Sequence, residues 1–539
     1  MKRPQAILLR LLPSMTDLAF VMPLVFLFGG MKGAQTLLSD GDTGWHLRTG
    51  EWILAHGRVP YRDIFSFTRP GQPWFAWEWG WDVLFGWLHL HAGLAAVVLA
   101  GSLVLALTFA VLFRVARWQS GALAALACTL AAAGGSAGHW LARPHLFTML
   151  FTVVFYALLE RGKRLWLLPP LMILWTNLHG GFFVGIVLIL AYAAASYAVL
   201  LRQTDGAERR AALGAGRRHL LTATACLAAT FINPYVWRLH AHICAYLSDS
   251  FYRGNIMEFQ SLNFQSGQAR YFEILLVLGA LEAFRCLRAG RLAWPLLFVL
   301  WAHLGLYSAR NVEIFVLLAA PPAAGFLTFA FRLAAGVRWV AWLRDAWNAL
   351  ASLGSDLDLF DRAPRWHALS IAAAFLLAAL LYAPHPPARC RAEYDPKAFP
   401  VAAARLLDQA GTLRAVFAPD LWGGYLIYRQ FPRSRVFIDG RSDFYGPDFA
   451  TRYMKAMAAQ SGWEQYLARY GVDTILLPPD ASLAGALKQS SAWRLTYDDG
   501  VALIFRPAPA TALSPAIVSA APPAGETQTA NTRSQETPL

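Results

Sequence analysis

Apolar stretches close to the ~20 residues that an α-helix needs to cross a bilayer recur from Leu18 to Tyr382. No such stretch occurs after Pro387. This pattern predicts an α-helical polytopic membrane body over residues 1–385, with about 11 transmembrane helices. The predicted spans lie near residues 17–37, 88–113, 120–138, 145–160, 165–177, 182–201, 219–235, 271–285, 292–307, 314–331 and 366–384.

The segment after the last span alternates helical and strand patterns, which predicts an extracytoplasmic α/β domain over residues 386–506. Residues 507–539 are rich in Ala, Pro, Thr and Ser and offer little to bury, so a disordered tail is expected there. The predicted elements of the domain are a helix near 398–410, strands at 415–419 and 435–440, a helix at about 448–470, a strand at 473–479 and two closing strands around 493–505.

Composition and charge place the chain in a membrane. It is 57% hydrophobic and only 15% charged, which is too apolar for a soluble protein of this length. The net charge of +14 does not indicate nucleic-acid binding, because the basic residues punctuate the apolar segments instead of forming one patch. By the positive-inside rule these residues mark the cytoplasmic face. We therefore expect a bacterial inner-membrane protein with a cytoplasmic N-terminus and a periplasmic or extracellular C-terminal domain.

The first outer loop, residues 38–87, is the segment richest in reactive side chains. Asp40 and Asp42 directly follow the first span. A helix is expected over residues 45–56, because Gly57 is typical of a helix C-terminus. The two carboxylates would then lie at the membrane surface, just before this helix.

A carboxylate in this position suits a general base, because desolvation can raise its pKa towards neutrality. Asp42 is the first candidate and Asp40 the second. The alternative is an exposed Asp-Gly turn with a helix cap. The pair could also hold a divalent metal such as Mg or Mn. His46, one helical turn after Asp42, is a candidate substrate contact.

The second half of the first loop is rich in tryptophan and predicts an amphipathic helix in the membrane interface. Glu78 and Asp82 are four residues apart on one side of it and are candidate substrate contacts. The aromatic side chains serve as an interfacial anchor or as a platform on which sugar rings stack. They are Trp74, Phe75, Trp77, Trp79, Trp81, Phe85 and Trp87.

Two joints between predicted spans carry charged residues, which are costly there unless they face a cavity or a partner. One joint holds Arg143 and His145, and the other holds Arg310, Asn311 and Glu313. The two arginines, with His145, are candidates for binding a donor phosphate, because a guanidinium fits its geometry. Alternatively the arginines reach lipid headgroups or pair with a carboxylate such as Glu313. Asn311 is a candidate substrate contact.

Three further places carry polar candidates. His179, in the turn NLHGG, either contacts the substrate or is structural. Glu258, in the loop 236–270, could bind an acceptor or close over the site. A last group lies at the ends of predicted strands, where ligand groups gather in α/β domains, but a structural role is favoured because Asp and Gly are also common in turns. Its members are Asp420, Trp422, Asp439, Arg441 and Asp443.

Several signatures of other enzyme classes are missing from the sequence. There is no GxGxxG after a strand, no Walker loop, no GxSxG and no HExxH. The five cysteines are scattered and indicate neither a zinc site nor a disulfide framework. Nucleotide-driven and hydrolase chemistry are therefore disfavoured, and a donor that is already activated and already in the membrane is expected.

The first loop resembles that of the C-type glycosyltransferase superfamily, polytopic enzymes that use polyprenyl-phosphate sugars and include the protein mannosyltransferases and aminoarabinose transferases. The shared features are an acidic residue after the first span, His46 four residues later, and a juxtamembrane helix followed by HGRVP, ending at Pro60. The resemblance implies that Asp42 is the catalytic base. Thr43 stands where that superfamily often has Glu. The combination of DTGWHLRTGEWI, NLHGGF, INPY, EFQS, ARN and a terminal domain with WGGY and FIDGR resembles a bacterial branch of this superfamily.

The expected function is an inverting transfer of a hexose or pentose from a polyprenyl-phosphate donor to an extracytoplasmic glycan, lipid or protein. Membrane lipids are expected partners, and nucleic acid is not. Two alternatives stay open from the sequence. One is a non-catalytic transporter or scaffold in envelope polysaccharide assembly, and the other is a polymerase or ligase that uses a lipid-linked glycan.

Overall fold

The computed structural model describes residues 9–202, 205–335, 340–409 and 415–509, and these are mostly helical. The predicted tail lies outside the described residues from position 510 onward. The longer helices before residue 385 are α1 (Met15–Val25), α2 (Asp42–His56), α3 (Trp79–Ala116), α4 (Ala122–Ser136), α5 (His145–Arg161), α6 (Leu168–Leu178), α7 (Phe183–Arg202), α8 (Gly206–Ala229), α9 (Trp237–Ser248), α10 (Gly267–Arg288), α11 (Ala293–Tyr307), α12 (Val312–Ala334), α13 (Ala341–Asp361) and α14 (Ala368–Leu381).

Within the described residues, five helices are long and apolar enough to cross a membrane, and three shorter helices are also apolar. Each predicted span falls on a helix, so the helical class of the body is confirmed. The count of 11 crossings stays a prediction. The five long segments are Leu9–Gly30, Trp79–Ala116, Ala122–His139, Gly180–Leu201 and Ala309–Ala334.

Local sequence explains where the helix of the first loop begins and ends. Asp42 is the first residue of α2, three residues earlier than predicted. Helix α2 ends at His56. Gly57 follows with a φ of 64°, a left-handed conformation that glycine adopts at little cost. The predicted end of this helix is confirmed. Asp42 therefore stands at the positive end of the helix dipole, where a carboxylate is stabilised.

The C-terminal domain is a small α/β unit, as predicted. Its four-stranded sheet has the order β1-β2-β4-β3, with β1 and β2 parallel and the other pairs antiparallel. Its longer elements are α15 (Val401–Gln409), β1 (Val416–Phe417), α16 (Asp420–Gln430), α17 (Pro447–Met457), α18 (Trp463–Arg469), β2 (Thr474–Leu477), α19 (Ser482–Gln489), β3 (Trp493–Asp498) and β4 (Leu503–Pro507).

The strand predicted at 435–440 is wrong. Val436 forms only isolated bridges, one of them to Ser66 in the first loop. Its N–H donates to the carbonyl of Phe65 (3.0 Å), and its carbonyl accepts from the N–H of Phe67 (3.1 Å). The segment is buried as its apolar pattern indicates, but its backbone pairs with the first loop. The first loop and the C-terminal domain are thus joined.

The hydrophobic cores also join the first loop to the C-terminal domain. Trp45, Phe65 and Trp74 of the first loop pack in one cluster with the apolar residues of the C-terminal domain. Trp81 and Phe85 are buried in the core of the membrane body, and α3 begins only at Trp79. The predicted helix is thus wrong for residues 74–78 and present from Trp79 onward. Trp81 and Phe85 fill a core, whereas Trp87 is 48% exposed, so an interfacial anchor stays a prediction for that residue.

Candidate active site

Asp40 and Asp42 share one guanidinium. Arg143 Nη1 lies 2.6 Å from Asp40 Oδ2, and its Nη2 lies 2.9 Å from Asp42 Oδ2. Asp40 Oδ1 also accepts the N–H of Asp42 (2.9 Å). The exposed Asp-Gly turn is thus excluded as the whole explanation of this pair, because both carboxylates bind a cation from another joint.

Backbone contacts hold Arg143 in that position. The N–H of Ala142 donates to the carbonyl of Leu37 (2.8 Å), at the end of the first span. The hydroxyl of Thr43 donates to the carbonyl of Ala142 (3.3 Å). The joint that contains Arg143 is therefore tied to both sides of the Asp40–Asp42 turn. Thr43 therefore has a structural use in this joint.

Asp42 is almost fully buried, with 9% of its surface exposed. Burial, reinforced by the nearby charge of Asp40, raises the pKa of Asp42 to about 7, against the opposing effect of Arg143. The C-terminal domain forms one wall of this environment, because Gly440 lies so close that a Cβ there would overlap Asp42 Oδ1. Such a carboxyl group exchanges its proton near neutral pH and so has the property of a general base.

Glu258 joins the two predicted phosphate-binding arginines. Arg143 Nη1 lies 4.0 Å from Glu258 Oε1, and Arg310 Nη2 lies 3.6 Å from Glu258 Oε2. Burial works against ionisation, but Arg143 and Arg310 together hold the pKa of Glu258 at about 2. The hydroxyl of Ser308 donates to the carbonyl of Glu258 (2.8 Å), which fixes the loop. Two guanidiniums therefore converge on one anionic group.

A buried group of polar side chains lies beside these ion pairs. His46 Nδ1 contacts Asp82 Oδ1 at 2.6 Å, and His46 Nε2 lies 3.4 Å from Glu78 Oε2. Burial raises the pKa of Glu78 to about 8 despite the opposing charge of Arg143. Burial lowers the pKa of His46 well below its usual range. At neutral pH the carboxyl group of Glu78 is thus protonated and the imidazole of His46 is uncharged.

His179 completes this group from the opposite side. Its Nε2 lies 3.4 Å from Glu78 Oε1. Its Nδ1 accepts the N–H of Gly181 (3.1 Å) and contacts Thr148 Oγ1 (2.7 Å). Burial lowers the pKa of His179 well below its usual range. Since Nδ1 accepts a backbone donor, the proton of the neutral ring is on Nε2, and it faces Glu78.

The other predicted site residues have local partners. His145 Nε2 donates to the carbonyl of His139 (2.6 Å), and the ring of His145 lies 6.4 Å from that of His179. Asn311 Nδ2 donates to the carbonyl of Leu304 (3.3 Å). These bonds give both residues a structural role, although His145 also lies among the site histidines. Glu313 is buried in α12, and no ion pair with Arg143 or Arg310 is seen in the described chain.

Arg441 connects the C-terminal domain to the first loop. It is 2% exposed and binds Asp439 through two nitrogens, at 2.7 and 2.8 Å. Its Nη2 also binds Asp63 Oδ1 of the first loop (2.8 Å), and its guanidinium lies 4.5 Å from the centre of the Trp74 ring. The structural interpretation favoured for Asp439 and Arg441 thus agrees with the contacts observed.

Three residues of the site were missed by the sequence. Gly440 packs against Asp42, Thr148 supports His179, and Asp63 pairs with Arg441. No signal in one sequence distinguishes them from the many other Gly, Thr and Asp residues at turns and helix starts. Their roles depend on which distant segments meet.

The carboxylates do not fit a resident metal in this arrangement. Among the residues that the structure describes, no group of three or more His, Cys, Asp or Glu side chains could hold a metal ion. The position between Asp40 and Asp42 is taken by the guanidinium of Arg143, which binds both. A cation there would have to displace that guanidinium.

Comparison with known proteins finds solved structures whose fold is similar to that of this chain. No protein-family model matches the sequence, and a search of curated proteins finds no match. A crystal structure of the Archaeoglobus fulgidus oligosaccharyltransferase in the apo form has a TM-score of 0.53 at 10% identity, over 86% of this chain and 69% of that one. The Archaeoglobus fulgidus oligosaccharyltransferase AglB with an inhibitory peptide and a dolichol-phosphate has a TM-score of 0.50 at 11% identity, over 92% and 73%. This chain therefore has a fold similar to that of an archaeal oligosaccharyltransferase.

Proposed function

We propose that this chain is a membrane glycosyltransferase that moves a sugar from a polyprenyl-phosphate donor to an extracytoplasmic acceptor, with inversion at the anomeric carbon. The observation that carries the proposal is the convergence of Arg143 and Arg310 on one anionic group, beside the buried carboxyl of Asp42. The similar archaeal fold with a dolichol-phosphate supports a lipid phosphate as the donor class.

The donor phosphate takes the place of the Glu258 carboxylate between the two arginines. A phosphate has the same sign of charge as that carboxylate and presents more oxygen atoms to guanidinium donors. Glu258 is 40% exposed at its side chain, so it can turn away when the donor enters. Arg143 and Arg310 then stabilise the charge that grows on the phosphate as the sugar leaves.

Asp42 is the general base of the proposed reaction. It removes the proton from an acceptor hydroxyl, whose oxygen forms a bond to the anomeric carbon while the bond from that carbon to the phosphate oxygen breaks. The products are the glycosylated acceptor, polyprenyl phosphate and protonated Asp42, which later returns its proton to water. Because attack comes from the side opposite to the phosphate, the anomeric configuration inverts.

The buried polar group has a positioning role in this proposal. His46 and Asp82 are fully buried, so we assign them to holding Glu78 and not to direct contact with the substrate. Glu78 and His179 are partly accessible, with 11% and 18% of their side chains exposed, and they bind sugar hydroxyls. Glu258 and the joint at Asn311 border the donor phosphate. The acceptor is a glycan, a lipid or a protein of the cell envelope.

Binding of polyprenyl phosphate tests the phosphate site. We expect Arg310→Gln to weaken binding by about tenfold or more, because a hydrogen bond to a charged group contributes about 1.5–3 kcal/mol. Arg143→Gln should weaken it as well. Glu258→Gln should tighten binding, since it removes the charge that competes with the phosphate. Affinity is measured with the purified full chain in lipid nanodiscs.

Arg433→Gln is the matched control, because Arg433 is 69% exposed at its side chain in the C-terminal domain, where it pairs with Asp408. This variant should bind like the wild type. The phosphate site is wrong if Arg310→Gln and Arg143→Gln bind as tightly as Arg433→Gln. A loss of binding in Glu258→Gln would also contradict the proposed competition, because a merely structural Glu258 would not oppose the ligand.

A further inference from the structure

A cavity lies at the other end of the helix bundle from Asp42. The helix α5 begins at His145, among the site histidines, and Glu160 near its other end lines this cavity. At about 1.5 Å per residue the two positions are about 22 Å apart. The cavity has a volume of about 260 Å³. Its polar lining consists mainly of Gln119, Tyr156, Glu160, Tyr192, Glu282 and Arg291.

The charges around this cavity do not cancel evenly. Glu282 binds Arg285 through both carboxylate oxygens, at 2.6 Å each, and Arg291 lies 3.6 Å from it. Glu160 accepts hydrogen bonds only from uncharged groups in the described chain, the hydroxyl of Tyr192 and the amide of Gln119. Both guanidiniums thus lie on the Glu282 side, Arg291 at a longer distance than Arg285, and no contact between Glu160 and a cation is seen among the described residues.

The guanidinium next to Glu160 in the chain is also engaged elsewhere. Arg161 lies 4.0 Å from the centre of the Trp118 ring. Glu160 is half-buried and presents its carboxylate to the cavity. A carboxylate without a cation beside it attracts a positively charged ligand.

Aromatic side chains form much of the remaining wall. Tyr156, Tyr192 and Trp294 all line the cavity and are at most 7% exposed. Tyr156 is 3% exposed and lines the cavity next to Glu160. Trp294 is oriented by its Nε1–H, which donates to the carbonyl of Gly279 (3.0 Å). Aromatic faces beside a carboxylate are a combination that attracts organic cations.

We propose that this cavity binds a ligand with a primary ammonium group. The ammonium pairs with the Glu160 carboxylate and donates a second hydrogen bond to the Tyr156 hydroxyl, while the aromatic rings face the charge. Arg291, half exposed at the rim, is placed to meet a phosphate attached to the amine. An ethanolamine phospholipid headgroup and a free small amine share this chemistry. The inference is independent of the proposed transferase reaction.

Native mass spectrometry of the purified full chain tests this site. The protein is offered phosphatidylethanolamine or phosphatidylglycerol at equal concentration, and soluble ethanolamine is added in a separate arm. We expect about tenfold preferential retention of the amine lipid, lost in Glu160→Gln and reduced several-fold in Tyr156→Phe. Displacement by soluble ethanolamine would identify a free amine as a sufficient ligand, whereas retention despite it would identify the lipid headgroup. Both results support the ammonium site.

Glu208→Gln is the matched control, because Glu208 is exposed near the start of α8 and does not line the cavity. It should keep the wild-type preference. Thermal unfolding of each variant checks that it is folded, and Tyr156→Phe tests the cavity if Glu160→Gln does not fold. The proposal is overturned if the wild type retains both lipids equally and does not bind ethanolamine. It is also overturned if Glu160→Gln folds and binds the amine lipid as the wild type does. If Glu160→Gln does not fold, the same result for Tyr156→Phe overturns the proposal.

Discussion

Arg143 faces three carboxylates, those of Asp40, Asp42 and Glu258. One guanidinium cannot fully compensate all three. The pKa of Glu258 falls to about 2 because Arg310 adds a second positive charge, whereas burial and Asp40 raise the pKa of Asp42 to about 7. The same cluster therefore contains a permanent anion and a carboxyl group that exchanges protons at neutral pH.

The pH dependence of transfer follows from Asp42. A general base acts when it is deprotonated, so kcat/KM should rise with pH through about 7 and fall about tenfold per pH unit well below it. The measurement is the initial rate of transfer at low donor concentration between about pH 5 and pH 9.

Asp40→Asn tests the cause of this pH dependence. The substitution removes the charge that, after burial, contributes most to the raised pKa of Asp42. It also leaves Arg143 with two carboxylates, those of Asp42 and Glu258, instead of three, which acts in the same direction. The rising limb should therefore move to lower pH. An unchanged midpoint in an active Asp40→Asn enzyme would contradict the assignment of Asp42.

The charged residues of the site could be identified from the sequence because charged residues are rare among apolar spans. Their arrangement in space could not be predicted from it. Glu258 lies in a long loop, and its position between two arginines depends on the bond from Ser308 to its backbone. The burial of His46 likewise depends on segments that are distant in sequence, so a buried positioning residue could not be distinguished from a substrate contact.

Glycines near the starts of α2 and α16 allow these two helices to pack closely. A Cβ at Gly424 would overlap the carbonyl oxygen of Gly41, and a Cβ at Gly44 would overlap that of Gly424. The backbones of α2 and α16 therefore lie in direct contact here, with no room for a side chain between them. This contact sets Gly440 against Asp42 and so builds one wall of the site.

Gly424→Ala should destabilise the protein although alanine is the better helix former. The gain in helix propensity is about 1 kcal/mol, whereas overpacking against a rigid backbone typically costs about 1–3 kcal/mol. We expect a lower apparent unfolding temperature and a reduced transfer rate, because α16 must move away from α2. Thermal unfolding in detergent gives the first quantity.

Gly485→Ala is the control for this substitution. Gly485 lies in α19 of the same domain, and a Cβ there would meet nothing within 4 Å. Only the helix propensity changes, so this variant should be as stable as the wild type or more so. Equal stability of Gly424→Ala and Gly485→Ala would show that the close packing of α2 and α16 does not limit the structure.

The sequence predicted these elements unevenly. The helices of the body followed from apolar stretches, and the sheet strand Thr474–Leu477 followed from a short apolar run. The segment 435–440 has the same strand-like pattern, but its backbone bonds to the first loop. The tryptophans near residue 80 resembled an interfacial anchor because the sequence alone does not show that Trp81 packs in the core of the membrane body and Trp74 in that of the C-terminal domain.

The first loop packs against both the membrane body and the C-terminal domain. Its α2 contributes Asp42 to the ion pairs of the membrane body and Trp45 to the core of the C-terminal domain. Arg441 reinforces this union through Asp63. The two parts are therefore held together beside Asp42, and the cavity at Glu160 lies at the far end of the bundle.

Transfer of a labelled sugar by reconstituted protein tests whether Asp42 is the general base of a glycosyl transfer. Wild type and Asp42→Asn are placed in liposomes with polyprenyl phosphate carrying a radiolabelled hexose or pentose, and a cell-envelope extract supplies acceptors. The wild type should move label from the lipid to an acceptor. Asp42→Asn should lower that rate by about 100-fold or more, as expected for loss of a general base, while still binding polyprenyl phosphate. Full transfer by Asp42→Asn, or movement of intact labelled lipid across the bilayer without a new glycosidic bond, would contradict the account.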